Sequence, residues 1–422
     1  MSMGDREPQS DSWRASEHDT REGYQNWSGS LRFRPSRAVA PRSEEELAQI
    51  IGDASRQGRT VRPVGSMHSS TGIIATDDIL VSLDHFRGVY SVDQKAHRAE
   101  VGAGTVLRDL GKRLSEIGLA MPNYGDVATQ TIAGAIGTGT HGSGIDLYNL
   151  SMTLVGGSMV TGSGAIKTFS LESDPDLVRA MRVSFGTLGI LTRIELQLEP
   201  DYQLHRQEWC TTFDAVFPRL CEFAAENRNF DLYWYPRSDE VKLRCLNPPG
   251  EGPDYSSFAW LAESRTGAPH EVIPKHSDLP DKFDEMEYAF AADAARDCLL
   301  AIRDRIRSRW RRTVCWRVLY RFVKADDTWL SEAHARETAT ISLHQNSSLP
   351  FRDYFADIEP IFQSHGGRPH WAKIHTMTGA QLGARYPMWR RFGQLRRELD
   401  PDGVLLTPYL RGLLAPQMEA AR

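Results

Sequence analysis

The stretch TIAGAIGTGTHGSG, residues 131–144, sets five glycines among two alanines, small hydroxyl residues and one histidine. Glycine has no Cβ, so its N–H groups can approach a ligand closely, and it supplies the positive-φ turns from which anion-binding nests are built. The stretch therefore reads as a cradle for a pyrophosphate.

Gly137, Gly139 and Gly142 also match G-x-G-x-x-G. A Rossmann site needs a hydrophobic strand before that motif, a helix after it and an acidic residue about 20 positions on. Here small residues precede it, SGIDLYNLS is a poor helix start, and no carboxylate lies near the expected place. A Rossmann dinucleotide site is thereby disfavoured.

A chain of 422 residues with 40% hydrophobic and 25% charged content is that of a globular protein of two domains. Net charge of −5 gives no basic footprint for nucleic acid, and the apolar runs are too short for a membrane span. Residues 1–23 are polar and lack an apolar core, so they read as a disordered tail rather than a signal, and the protein as cytoplasmic. Five cysteines, all beyond residue 200 and without metal-type spacing, read as reduced core thiols. No histidine set shows metal spacing.

Ser43 with Glu46 predicts a capped helix bearing Leu47, Ile50, Ile51 and Ala54, and residues 59–64 predict a strand delivering the loop 65–71. Thr105 is expected to cap a second helix. Residues 152–160 and 165–171 predict a hairpin around Thr161-Gly-Ser-Gly164. Past Pro200 the glycine loops thin out, placing a domain boundary there. Residues 231–236 and 240–246 predict another hairpin, 246–280 a surface loop, 281–312 helix, 314–323 and 339–344 strands, and 351–363 and 388–399 helices.

Val64-Gly-Ser-Met-His-Ser-Ser70, Thr131-Ile-Ala-Gly through His141-Gly, and His370-Trp-Ala-Lys373 occur in an order and spacing that resemble the sugar-1,4-lactone oxidases and alditol oxidases, flavoproteins of the vanillyl-alcohol oxidase type. The segments 24–27 and 321–331 look like further signatures of that family. The resemblance implies an α+β fold: a FAD-binding domain of two subdomains over 24–200, and a substrate domain with a large antiparallel sheet and flanking helices over 201–369. Residues 370–422 would return to the cofactor site.

It also implies FAD, bonded through His68, with Val64, Gly65, Ser66, Met67, Ser69 and Ser70 around it. Gly134, Gly137, Thr138, Gly139, Thr140, His141 and Gly142 would approach its pyrophosphate and ring, and Gly186, Gly189 and Ile190 its adenosine side. Lys373 and Arg321 match the family's active-site cations, which stabilise charge developing at the reduced ring. His344 is a candidate for binding a substrate hydroxyl or taking its proton, while His370 would orient Trp371 and Lys373.

Met67 stands where relatives usually carry glycine. Leu319 stands where they commonly carry a carboxylate, in Glu-x-Arg. The activity implied is oxidation of an alcohol carbon in a sugar lactone or polyol, of the D-arabinono-1,4-lactone, L-gulonolactone or alditol type, with O2 as acceptor and H2O2 as product. A dehydrogenase using a carrier or quinone and a noncatalytic flavin-binding protein are the alternatives.

Overall fold

A computed structural model describes residues 23–274 and 282–414; the expected tail, apart from Gly23, lies outside them. In the first half, the strands Arg37–Val39, Ile79–Ser82 and Val61–Val64 pair in parallel in that order. Beside them stands a five-stranded antiparallel sheet of Ile166–Ser170, Leu154–Val160, Ile190–Gln197, Arg98–Gly102 and Val89–Asp93. The helix Glu44–Arg56 buries Leu47, Ile50, Ile51 and Ala54. Ser43 caps it through the Glu46 N–H at 3.2 Å, while the Glu46 carboxylate takes the N–H of Arg42.

Thr105 does not cap the second helix, Leu107–Glu116, whose N-cap is Val106. Its hydroxyl instead donates to the Gly102 carbonyl and accepts the Gly88 N–H, closing the preceding turn.

The second half is built on eight antiparallel strands, from the edge strand Trp260–Gly267 through Leu204–Thr212, Glu240–Asn247, Asn229–Tyr235, Val318–Val323, Thr338–Asn346 and Phe283–Ala291 to the two-residue strand Arg368–Pro369. Two expectations fail here. Residues 246–280 are not wholly loop, since Trp260–Gly267 is the edge strand and Pro269–Val272 a helical turn. Residues 281–312 are not all helix either: Phe283–Ala291 is a strand, and the helix Ala292–Arg305 follows it and continues as a π-helical turn over Ile306–Trp310.

That strand has two different faces because side chains alternate along it. Tyr288 and Phe290 pack on Phe362 of the helix Arg352–Ser364. Glu285 and Glu287 point the other way, onto a cavity floor.

The chain after residue 370 lies against the first half. Ser70 N–H donates to the Ala372 carbonyl, Val61 N–H to the Val404 carbonyl, both at 2.8 Å, and Ser55 Oγ to Asp402. The cysteines are unpaired, as expected, but Cys221 and Cys315 are exposed rather than core.

Candidate active site

Two clefts of about 830 and 840 Å³ lie next to each other, with His68 and Gln130 in the walls of both. The first is lined by Val64, Gly65, Ser66, Met67, Ser69, Gly134, Gly137, Thr138, Gly186, Gly189 and Ile190, together with Arg62, Thr131 and Phe185. Ser70, Thr140, His141, Arg321, His344, His370 and Lys373 line the second. Gly139 and Gly142 line neither. A Cβ on Gly142 would stand 2.3 Å from the Tyr124 carbonyl, and one on Gly139 would stand 2.8 Å from the Glu332 carboxyl, so both serve close packing behind the cradle.

The first cleft suits a long diphosphate-bearing ligand. A Cβ on Gly65 would fall 2.0 Å from Thr131 Oγ1, so only glycine lets this loop touch the start of the helix Ile132–Gly137. Opposite, Arg62 is 4% exposed, and its Nη2 donates to the Phe185 carbonyl while Nε and Nη1 have no partner among the described residues. Burial lowers its pKa to about 9, which leaves the guanidinium charged. A buried cation with unused donors in a glycine-lined cleft calls for an anion. The Ser66 hydroxyl is already directed at the Thr129 carbonyl.

Met67 occupies the left-handed region, with φ of 53°. That explains why glycine is the usual choice there; the buried thioether side chain offsets the strain. The turn carries His68, whose Nε2 meets Thr129 Oγ1 at 2.8 Å and whose ring stacks on Trp27 at 5.2 Å. Burial, reinforced by Lys373, lowers its pKa to about 3, so the imidazole is neutral. No hydrogen bond among the described residues uses its Nδ1.

Three adjacent strands supply the floor of the second cleft. Their register sets Leu319 opposite Ser342 and Ser342 opposite Glu287, with His344 opposite Glu285 and Arg321 opposite Thr340. Lys373 Nζ is paired with Glu285 Oε2, and His344 Nε2 lies 3.4 Å from Oε1 of the same carboxylate. Arg321 Nη2 stands 2.7 Å and His141 Nε2 3.0 Å from Glu287 Oε1. Burial alone would raise both carboxyls. Lys373 and His344 outweigh it at Glu285, and Arg321 and His141 at Glu287, so both are held well below the usual range.

Across 93% of this chain and 99% of the other, 34% of aligned residues are identical to an L-gulono-1,4-lactone dehydrogenase of Mycobacterium tuberculosis. The chain belongs to the sugar-1,4-lactone oxidase and alditol oxidase family. A D-arabinono-1,4-lactone oxidase family model matches residues 276–413, and a FAD binding domain model matches residues 35–170. An alditol oxidase of a Streptomyces species is 29% identical over 92% of this chain and 98% of its own, and the L-gulonolactone oxidase of Bos taurus is 26% identical over 92% and 97%. A crystal structure of cholesterol oxidase from B. sterolicum superposes with a TM-score of 0.80 over 93% of this chain and 96% of its own; at 15% identity it shows the fold alone.

This lactone and alditol oxidase family member thus has the vanillyl-alcohol oxidase type of FAD fold and is a FAD-dependent oxidoreductase acting on CH–OH groups. Among its described residues no helix is long and apolar enough to cross a membrane.

Donor atoms of His141, Glu287 and His370 lie within 4.8 Å of one another. Their hydrogen bonds argue against a metal. His370 Nδ1 accepts the Ala372 N–H, so its Nε2 carries the ring proton, and Arg321 already sits on Glu287. Glu285, Glu287, Arg62, Gln130 and Arg317 belong to none of the motifs quoted from the sequence, while Trp27 ends the signature segment 24–27 without a role having been expected of it. For the two glutamates the signal was available: in Glu285-Met-Glu-Tyr288 charge alternates with apolar bulk at the period of a strand.

Proposed function

We propose that this enzyme oxidises an alcohol carbon of a sugar lactone or polyol, with O2 as acceptor and H2O2 as product, using FAD bonded through His68. Relatives named as lactone and alditol oxidases support the substrate class. The observation that carries the reading is the sharing of His68 and Gln130 between the anion-seeking cleft and the cleft walled by Lys373 and Arg321. Val64–Ser70, Gly134, Gly137, Thr138, Gly186, Gly189 and Ile190 would hold the cofactor, with Arg62 against its phosphates. When bound, FAD supplies the hydride acceptor.

The rest is work for the chain. Lys373 and Arg321 keep positive charge beside the reacting region, where it stabilises negative charge as it develops. Glu285 and Glu287 hold those two cations in place. His344 faces Glu285 through Nε2 and the Arg317 carbonyl through Nδ1, so neither ring nitrogen is free to take a proton, and its role would be to hold Glu285 beside the substrate hydroxyl. Trp27 and Phe283, in edge contact at 5.2 Å, form an apolar wall that shields the site from water.

A neutral His68 with an uncommitted Nδ1 suits attachment to the flavin. Acid-precipitated protein should stay yellow and His68→Ala should turn colourless under the same treatment; a wild-type pellet that bleaches removes the tether. Anaerobic addition of L-gulono-1,4-lactone or xylitol should bleach the flavin band. The name of the Mycobacterium relative favours a dehydrogenase as the second reading, while Ala133, a small residue in the cofactor cleft, favours oxygen access. Peroxide release at a rate matching dye reduction supports the oxidase; turnover with dye alone supports the dehydrogenase.

A further inference from the structure

Arg317 stands just before the strand Val318–Val323 and lines the second cleft together with Leu319 and Arg321 of that strand. The other cations of this wall have counterions: Lys373 pairs with Glu285 and Arg321 with Glu287. Asp126, also in the wall, lies 2.7 Å from Arg244, which pairs in addition with Asp231. Arg317 pairs with no carboxylate among the described residues. Its guanidinium carbon lies 5.1 Å from the ring centre of Tyr233 and 5.2 Å from that of Trp316, and its buried Nε has no hydrogen-bond partner among the described residues. Leu319, 2% exposed, presents a side chain that cannot offer Arg317 a carboxylate.

A planar cation braced by two aromatic rings, with donors unused, is a recognition element for an oxyanion. We propose that Arg317 makes this cleft selective for an acidic sugar derivative, a polyhydroxylated substrate that carries a carboxylate or phosphate. This rests on the cleft being the substrate site of the oxidoreductase. The absence of a carboxylate at position 319 then removes a repulsive charge from beside that oxyanion, so Leu319 and Arg317 act in the same direction.

The test uses holoenzyme and equilibrium binding followed by perturbation of the flavin spectrum, which does not require turnover. Probes are D-glucuronate, sorbitol 6-phosphate and neutral L-gulono-1,4-lactone. At least one acidic probe should bind more tightly than the lactone. Arg317→Gln should weaken that probe by about 10- to 100-fold relative to the lactone, the range of a charge-assisted pair. Arg317→Lys should retain part of the preference and Leu319→Glu should erode it. The two acidic arms distinguish carboxylate from phosphate.

Acidic probes that bind no better than the lactone, or an Arg317→Gln preference equal to wild type, overturn the proposal. If lactone bleaches the flavin while the acidic probes fail to bind, only this proposal falls. If nothing bleaches the flavin yet acidic probes bind through Arg317, the oxidoreductase reading falls and the anion site stands.

Discussion

At the scale of single residues, the site combines groups that burial keeps neutral with groups that partners keep charged. His370 is 5% exposed, and burial lowers its pKa to about 3. The unfolded chain takes a proton there below about pH 6.5, whereas the folded protein refuses it until far lower. Stability contributed by the neutral ring is therefore present above that pH and is lost as pH falls, by up to about 1.4 kcal/mol per pH unit. Glu285 and Glu287 follow in a lower window: their depressed pKa values lend stability that begins to fade as pH drops below about 4.5. Urea midpoints of the holoenzyme should fall from pH 7 to 5, and His370→Gln should flatten part of that slope. Identical slopes in the two proteins would remove His370 from the account.

At the scale of elements, legibility depended on whether a segment's local pattern agreed with its place in the fold. The helix Glu44–Arg56 was readable because its cap and apolar stripe coincide. In Phe283–Ala291 the alternation of a strand was present but outweighed, because Glu, Met and Ala favour helix and the segment runs directly into the helix Ala292–Arg305. Its carboxylates face inward, where only ion pairs from distant strands make burial tolerable, and no local pattern reports such partners. A close backbone approach is legible for the opposite reason, since it must be written as glycine, as at Gly65 beside Thr131. Gly65→Ala tests that approach. The new methyl would overlap Thr131 Oγ1, so the loop and the helix start must separate, at about 1–3 kcal/mol. Thermal midpoint and FAD content should both drop, and adding Thr131→Ala should recover part of each. A double variant no better than Gly65→Ala would show that the contact is not the cause.

Over the whole molecule, the two adjoining clefts depend on segments far apart in sequence being held together. The chain beyond residue 370 is tied to Val61, Ser70 and Ser55. The segment around Trp27 is tied to the large sheet by Asp284, 0% exposed, which accepts the hydroxyls of Ser28 at 2.9 Å and Ser30 at 2.6 Å. Asp284 lies next to Glu285 but faces the opposite side of the strand, so one strand presents both the clamp for the N-terminal segment and the carboxylate beneath Lys373. Trp27, held by this clamp and by its N–H to the Met67 carbonyl, covers His68 and forms part of the wall of the second cleft. Asp284→Ala should cost about 1–3 kcal/mol through the lost hydrogen bonds and should act at a distance, on the cover over His68. Limited proteolysis should then cut within residues 23–33 at protease levels that spare wild type, and Trp27 should become more accessible to a fluorescence quencher. The Lys373–Glu285 pair remains in the variant, so unchanged digestion with normal FAD content would mean that Trp27 is held by its stack and backbone contact alone.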